Sequence, residues 1–307
     1  MTAAAPGLAL AAGDARVLLA PATGGAIASF TLGKHAVLRP TLPEARAAGI
    51  VGAHACFPLV PYSNRIAGAT LRFGARVHPL APNFGDSPNS IHGIGWQREW
   101  AVAAAGAADA TLMLRHDPAK DGGGAWPFGF RARQAFSLDG SARDASLVAT
   151  LSIENTGDAA FPCGLGFHPF FPRTAATTLG FRARGVYDND AMQLPVGHAT
   201  VDAARRFDPP RPVHDLTLDH VFSGWDGRAT IAQPDAGLVV DLSAPPPASF
   251  LVAFVPPKQD FLAVEPVTHM TDAFNHAARG EPGTGALVLE PGATFSCTMR
   301  IDVRACA

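Results

Sequence analysis

Phe130-Arg-Ala-Arg-Gln-Ala-Phe-Ser-Leu138, with Asp139-Gly140 and residues 146–154 after it, is the stretch that decides the fold. Polar and apolar residues partly alternate in its first part, which is typical of a strand with one buried face. Asp-Gly is a strong turn signal, and the second part ends at another turn sequence, Asn155-Thr156-Gly157. The pattern predicts a long antiparallel pair of strands joined by a turn at Asp139-Gly140.

Short apolar runs continue on both sides of this pair, and 31 Gly and 27 Pro residues punctuate them. Such spacing is typical of an all-β protein with many turns. Residues 71–73 and 76–78 flank Gly74-Ala75 and predict a hairpin with a two-residue turn. The other predicted strands are 8–12, 15–20, 26–32, 36–39, 99–105, 110–115, 178–184, 229–232, 238–242, 250–255, 261–265, 286–289 and 294–303.

Helical periodicity is weak, and only residues 42–48 and 272–278 could form short helices. Because the composition shows no break, we expect a single domain over residues 1–307, with residues 1–7 as a loose tail. More than a dozen strands rarely stay in one flat sheet. The strands are therefore expected to form two packed sheets or a closed sheet.

Composition excludes several classes of function. The formal net charge is -2 and only 16% of residues are charged, so no basic surplus indicates nucleic acid. No apolar run is long enough for a membrane helix, and the apolar N-terminus lacks the positive region of a secretory signal. The four cysteines show no disulfide-rich or C-x-x-C pattern, which favours free thiols and a cytoplasmic location.

The run Phe161-Pro-Cys-Gly-Leu-Gly-Phe-His168-Pro169-Phe170-Phe171-Pro172 contains the first candidate for chemistry. Proline restricts the residue before it to extended geometry, so His168 should lie on or beside a strand. The two glycines leave room for close backbone approach. A rigidly held imidazole can act as an acid or a base near neutral pH. The alternative is a core histidine bonded to a carbonyl, and the motif alone does not decide between the two.

Two loops carry further candidates. Asn64-Arg65 combines a turn-forming amide with a guanidinium that suits vicinal hydroxyls or a carboxylate. His92 and Trp96 follow a loop rich in Gly, Pro and Asn, where an imidazole can bond a hydroxyl and an indole can stack on a sugar face. A surface arginine that closes a loop and a tryptophan that only anchors one are the structural alternatives.

Two carboxylates lie among apolar residues. Asp219 could bind a ligand or cap a turn, and Glu265 ends an apolar strand, where a carboxylate needs a partner such as Arg65 or a function. The spacing of Glu265 and His269 suits a metal only on a helix, and Pro266 argues against one there. There is no Gly-x-Ser-x-Gly elbow, which argues against a serine hydrolase. With no His-x-His or His-Glu-x-x-His motif and no Gly-x-Gly-x-x-Gly loop, neither a metal nor a nucleotide cofactor is expected.

Several of these stretches together, in chain order, resemble one family, the aldose 1-epimerases (galactose mutarotase-like). The matching stretches are Asn64-Arg65-Ile66…Gly68, His92-Gly93, Asn155-Thr156-Gly157, Gly166-Phe167-His168-Pro169-Phe170-Phe171, Leu218-Asp219-His220, Val264-Glu265-Pro266…Asp272-Ala273-Phe274-Asn275 and Glu290-Pro291-Gly292. The resemblance implies a large antiparallel β-supersandwich that needs no cofactor.

By the same resemblance, Glu265 is the general base and His168 the general acid. Asn64, Arg65, His92 and Asp219 look like sugar-binding residues of the family, and the loop pattern described above adds Trp96 as a stacking surface. Phe170 departs from the family, which more often has tyrosine after the His-Pro pair. Any contact that this hydroxyl makes would be absent here, which leaves the sugar preference open.

The hypothesis is therefore a cytoplasmic isomerase that interconverts the α and β anomers of a free aldose. A non-catalytic carbohydrate-binding or sugar-sensing protein is the main alternative, and a metal-dependent isomerase or hydrolase is the third. The expected partner is a small-molecule sugar, with no nucleic acid and no membrane. The sequence does not separate a monomer from a homodimer, nor galactose from glucose, a pentose or an acidic sugar.

Overall fold

The structure, a computed structural model, describes residues 7–306. These residues form 27 strands and three short α-helices. The strands are β1 Leu8–Ala12, β2 Ala15–Ala20, β3 Ala26–Leu32, β4 His35–Ala36, β5 Pro58–Leu59, β6 Arg65–Ile66, β7 Thr70–Phe73, β8 Arg76–Pro79, β9 Ser90–Ile91, β10 Ala101–Ala105, β11 Asp109–His116, β12 Phe130–Gly140, β13 Asp144–Asn155, β14 Phe161–Cys163, β15 Gly166–Phe167, β16 Phe170–Pro172, β17 Thr178–Phe181, β18 Gly185–Asn189, β19 Pro195–Thr200, β20 Phe207–Pro212, β21 Leu218–Ser223, β22 Arg228–Gln233, β23 Leu238–Ser243, β24 Phe250–Val255, β25 Phe261–Val267, β26 Leu287–Leu289 and β27 Thr294–Ala305. The helices are α1 Pro43–Ala47, α2 Pro118–Asp121 and α3 Ala273–Ala278.

Two large sheets contain most of the strands, and every strand pair in the described part of the chain is antiparallel. The nine-stranded sheet has the order β10-β11-β12-β13-β27-β23-β22-β17-β20. The eight-stranded sheet has the order β19-β18-β21-β24-β25-β15-β5, and β16 also pairs with β25. A four-stranded sheet of β1 to β4 and three two-stranded sheets complete the fold. The all-β, antiparallel prediction is confirmed.

The β12–β13 pair that decides the fold forms as predicted, but its turn lies elsewhere. Gly140 still pairs with Ala145, so Asp139 and Gly140 are the last residues of β12. Residues 141–143 make the turn, because the Ser141 hydroxyl oxygen accepts the N–H groups of Arg143 and Asp144, both at 3.1 Å. A local side-chain bond therefore overrides the Asp-Gly signal.

The two large sheets differ in how they are buried. In β13 every second residue is buried, from Ala145 to Ile153, so one face of this sheet packs on the core and the other contacts solvent. The central strands β24 and β25 of the eight-stranded sheet are buried on both faces. A carboxylate on β25 is therefore surrounded by protein, and Glu265 is only 3% exposed.

The remaining predictions agree with the structure to different degrees. Residues 42–48 and 272–278 contain α1 and α3, and the 71–78 hairpin is β7–β8. The predicted strand 36–39 is wrong beyond Ala36, where β4 ends. The loose tail predicted for residues 1–7 lies outside the described residues except for Gly7. Among residues 7–306, no helix is long and apolar enough to cross a membrane.

Candidate active site

His168 lies between β15 and β16, which both pair with β25, so it is beside a strand as predicted. Its main-chain N–H donates to the carbonyl of Phe57, at 3.0 Å. Its ring packs against the rings of Phe57 and Phe170, with centroid separations of 4.6 and 4.4 Å, and those two rings are themselves 6.1 Å apart. The imidazole is therefore packed against two neighbouring aromatic rings that restrict its movement.

Glu265 faces this imidazole from the middle of β25. Its Oε1 atom is 3.2 Å from His168 Nε2. His168 Nδ1 is buried and has no hydrogen-bond partner in the described part of the chain. The alternative of a core histidine bonded to a carbonyl therefore does not fit this geometry. The strand pairing brings together an imidazole and a carboxylate that are far apart in sequence.

Burial controls the ionisation of both groups. Burial, with a smaller contribution from the positive charge of Arg39, lowers the pKa of His168 to about 3. Burial also raises the pKa of Glu265 well above its ordinary value, Asp219 adds to this, and Arg65 opposes it. No ion pair within 4.0 Å joins Arg65 to Glu265 among residues 7–306, so the direct pairing that the sequence offered as an alternative does not form, although Arg65 still favours the ionised form of Glu265. The partner is His168.

Asn64 and His92 fix each other through two hydrogen bonds. The main-chain N–H of Asn64 donates to His92 Nδ1 at 3.0 Å, and the N–H of His92 donates to the carbonyl of Asn64 at 2.8 Å. His92 Nδ1 is thus an acceptor, so the proton of the neutral ring lies on Nε2. Burial lowers the pKa of His92 well below its ordinary value. His92 therefore presents a neutral N–H donor.

Arg65 and Asp219 are two further charged residues of the site. The side-chain oxygen of Asn64 accepts from both the N–H and the Nη1 group of Arg65, at 2.9 and 3.1 Å. This leaves the Asn64 amide NH2 free to donate. Asp219 lies within β21, opposite Phe254 of β24, so the alternative of a turn aspartate is wrong. Burial raises the pKa of Asp219, and Arg65 and His220 oppose that shift.

Trp96 anchors its loop and also lines the cavity described below. Its indole N–H donates to the carbonyls of Ile91 and Gly93, each at 3.2 Å, and the residue is only 6% exposed. Its ring stacks on Phe57 at 5.5 Å. The anchoring role that the sequence left open is therefore present, and the ring also lines the cavity described next.

One cavity of about 260 Å³ contains all the predicted site residues on its wall. Its size is close to the lower end of the range of about 300–1,000 Å³ that is usual for small-molecule sites. The wall is mostly apolar, with a few converging polar groups. The lining residues are Arg39, Gly52, Phe57, Asn64, Arg65, Phe84, Ile91, His92, Trp96, His168, Phe170, Asp219, Val252, Phe254, Phe261 and Glu265.

A sequence profile of the family described as aldose 1-epimerase matches residues 8–302. The chain belongs to the aldose 1-epimerase family. The Escherichia coli K12 protein YphB, whose function is uncharacterized, is 28% identical over 289 residues, which cover 91% of this chain and 93% of YphB. The resemblance stated from the sequence is confirmed.

Solved structures share the fold of this aldose 1-epimerase family member. A crystal structure of a candidate aldose 1-epimerase from Escherichia coli K12 has a TM-score of 0.85 at 27% identity and covers 97% of this chain and 99% of that one. A galactose mutarotase-like protein from Clostridium acetobutylicum has a TM-score of 0.83 at 17% identity, covering 97% and 94%. The predicted galactose mutarotase-like β-supersandwich is confirmed.

The segment after β25 supports the Asn64-Arg65 loop of this family member. The N–H of Asp272 donates to the carbonyl of Arg65 at 2.9 Å, and Asp272 Oδ1 accepts the N–H of Ala67 at 3.0 Å. His269 Nε2 accepts the N–H of Ser63 at 3.0 Å, while its Nδ1 donates to the Met270 carbonyl at 2.7 Å. Both ring nitrogens of His269 are used, so it is not free to join Glu265 at a metal.

The sequence missed several residues of the cavity wall, and Arg39 is the most important. It carried no motif and appeared only as the end of a predicted strand. Phe57 also went unnoticed, although it precedes Pro58 as His168 precedes Pro169, and that pattern could have indicated it. Phe84, Phe254 and Phe261 carried no local signal.

Proposed function

We propose that this protein is a mutarotase, a cofactor-independent isomerase that interconverts the α and β anomers of a free aldose. The observation that carries the proposal is the 3.2 Å contact between His168 Nε2 and Glu265 Oε1, on the wall of a sugar-sized cavity. A carboxylate and an imidazole at this distance form an acid–base pair. Membership of the aldose 1-epimerase family supports the same activity.

The proposed cycle needs two proton transfers and returns both groups to their starting state. The Glu265 carboxylate takes the proton from the hydroxyl on C1 while the His168 imidazolium gives a proton to the ring oxygen. The C1–O5 bond breaks, an aldehyde forms and the C1–C2 bond rotates. The ring then closes on the other face, and both protons move back. The pair carries one proton in every state.

The burial of the pair has a role in this cycle. Ring opening converts the ion pair of carboxylate and imidazolium into a neutral carboxylic acid and a neutral imidazole. Because burial lowers the pKa of His168 and raises that of Glu265, it favours the neutral pair. The buried setting therefore stabilises the ring-opened intermediate relative to the closed complex.

The other polar groups on the wall suit the hydroxyls of a sugar. His92 offers a neutral Nε2–H, Asn64 offers its amide NH2, and Arg65 offers a guanidinium. Asp219 offers acceptor oxygens. The rings of Trp96 and Phe57 provide flat apolar surfaces for the C–H faces of the sugar. We propose these residues as the substrate-binding set.

Polarimetry on freshly dissolved α-glucose, α-galactose and pentoses tests the proposal. The protein should speed the approach to the equilibrium rotation for at least one sugar, and added EDTA should leave the rate unchanged. If a sugar binds, as calorimetry would show, but no rate rises above the buffer rate, the protein is a carbohydrate-binding protein and the proposal fails. Loss of activity on chelation would instead support the metal-dependent alternative.

A further inference from the structure

Arg39 is held rigidly at the edge of the cavity. Its main-chain N–H donates to the carbonyl of Phe170 at 2.8 Å. Its guanidinium carbon lies 3.9 Å from the ring centre of Phe170 and 4.3 Å from that of Phe261. Its Nη2 group donates to the carbonyls of Gly52 and His54, both at 3.0 Å. The guanidinium therefore has a fixed position and a defined orientation.

The same aromatic ring joins Arg39 to the acid–base pair. Phe170 is stacked on His168 at 4.4 Å and carries the Arg39 guanidinium at 3.9 Å. Phe170 is also the residue at which the chain departs from the tyrosine expected by resemblance. With an apolar ring here, the cation of Arg39 lies directly against this part of the wall.

The charges on the cavity wall do not balance. His168 and Glu265 share one proton and have no net charge in either form. Arg65 and Asp219 have opposite formal charges, and Arg65 opposes the rise in the pKa of Asp219 that burial causes. Arg39 has no ion-pair partner within 4.0 Å in the described part of the chain. Burial disfavours its charge and lowers its pKa to about 10, and Asp260 opposes this only partly. One positive charge is left over.

We propose that Arg39 binds an anionic substituent of the sugar, so that the preferred substrate is an aldose with a carboxylate or a phosphate group. This inference rests on the proposed mutarotase function. In that function His168 protonates the ring oxygen O5. This oxygen joins C1 to C5, and C5 carries C6. A charged group at C6 therefore lies on the His168 side of the sugar, next to Phe170 and Arg39. Arg39 keeps N–H donors on Nε and Nη1, each of which can bond one oxygen of an anion.

Matched pairs of sugars test the inference. We expect kcat/KM for D-galacturonate to exceed that for D-galactose, or kcat/KM for D-glucose 6-phosphate to exceed that for D-glucose, by about tenfold or more at low salt. The two pairs separate a carboxylate from a phosphate. The advantage of the anionic sugar should shrink as salt is added, because salt screens charges that remain in contact with solvent.

Variants of Arg39 connect the preference to this side chain. Arg39→Met keeps an apolar chain over Phe170 and removes the charge, and it should lower the ratio of anionic to neutral kcat/KM about tenfold, mainly through KM. Arg39→Lys should keep part of the ratio, since it keeps the charge. Arg133→Met, on the exposed face of β12, is the control and should leave the ratio unchanged.

The possible outcomes separate this inference from the proposed function. If no sugar re-equilibrates faster with the protein, the mutarotase proposal fails, and this inference fails with it. If neutral sugars are turned over and their anionic partners have equal or lower kcat/KM, only the role of Arg39 is overturned. An anionic preference that survives in a folded Arg39→Met variant overturns it too. If Arg39→Met does not fold, the wild-type protein and Arg39→Lys test the inference. An anionic preference in wild type that is partly retained in Arg39→Lys supports it, and no preference in wild type overturns it.

Discussion

At the scale of single residues, the proposed mutarotase activity depends on the position of one proton between His168 and Glu265. Catalysis needs the pair to hold one proton, because a doubly protonated pair has no base and a doubly deprotonated pair has no acid. The two groups are 3.2 Å apart, so they titrate as a unit. The pH dependence of activity therefore reports on the pair rather than on an ordinary histidine.

The direction of the pKa shifts gives a prediction for this dependence. The second proton is added only when His168 is protonated beside a neutral Glu265, and burial lowers that pKa to about 3. Activity should therefore persist on acidification through pH 6.5, the ordinary pKa of histidine being about 6.5. It should fall on the alkaline side, where the pair loses its shared proton.

Polarimetric kcat/KM values from pH 4 to 9, extrapolated to zero buffer concentration, check this prediction. A loss of activity on acidification with its midpoint between pH 6 and 7 would contradict it. The same pH series on His168→Asn is the control. This variant lacks the imidazole, so a midpoint that belongs to the His168–Glu265 pair should be absent from its profile.

Trp96 combines two roles that substitutions can separate. Trp96→Phe keeps a ring against Phe57 but loses the indole N–H, so we expect a loss of about 1 kcal/mol in the free energy of unfolding and little change in KM. Trp96→Leu also removes the flat surface and should raise KM by about 2–10-fold. Trp225→Leu is the control, because Trp225 is buried outside the cavity and bonds the Arg228 carbonyl. Equal KM values for wild type and a folded Trp96→Leu would make Trp96 purely structural.

At the scale of elements, the break between β15 and β16 creates the site. His168 and Pro169 separate two short strands that both pair with β25. Proline has no N–H to donate to a neighbouring strand, so the ladder is interrupted there. The interruption allows the His168 side chain to face β25 at the level of Glu265. The motif is thus a strand break that positions a side chain.

The Asp272 turn is the second element that positions the site. Asp272 has a φ of +55° and bonds both Arg65 and Ala67, so it fixes the loop that carries Asn64. Asp272→Ala should destabilise the fold by about 1–3 kcal/mol and lower kcat/KM about tenfold, mainly through KM, because the loop shifts. Asp272→Asn keeps the acceptor oxygen, and asparagine tolerates the positive φ. This variant should therefore keep most of the stability and most of the kcat/KM of the wild type.

Asp241→Ala is the matched control for this prediction. Asp241 lies on β23 outside the cavity, where it accepts the Thr230 hydroxyl and pairs with Arg304 of β27. The Asp241→Ala substitution should lower the free energy of unfolding without raising KM. If Asp272→Ala loses stability and its KM equals that of the control, the turn has no role in binding, and the positioning argument is wrong.

At the scale of the whole molecule, much of the fold follows from local patterns. Strands with one face in the core alternate visibly, and β12, β13 and β27 were predictable for that reason. The strands β18, β19, β20 and β21 were missed. β19 and β20 lie at sheet edges, where exposure removes the alternation, and β20 contains the prolines that edge strands tolerate.

The candidate site was predictable in part for a different reason. Its polar residues sit in short motifs with chemical content, so the sequence could indicate them one by one. What the sequence could not show was the environment. Arg39 reaches the site only because its main chain bonds Phe170, a contact between distant parts of the chain. The dominance of burial over charge at Glu265 likewise depends on strands that cover it from both faces.

The measurement that tests the central claim most directly is anomer exchange at equilibrium, followed by NMR for the best substrate. Glu265→Gln and His168→Asn should each lower the enzymatic exchange rate by at least about 10²-fold with the fold retained. The double variant should be no slower than the slower single variant by more than a small factor, because the pair acts as a unit. Glu154→Gln, on the outer face of β13, is the control and should exchange like wild type. Wild-type exchange in either folded single variant would contradict the account.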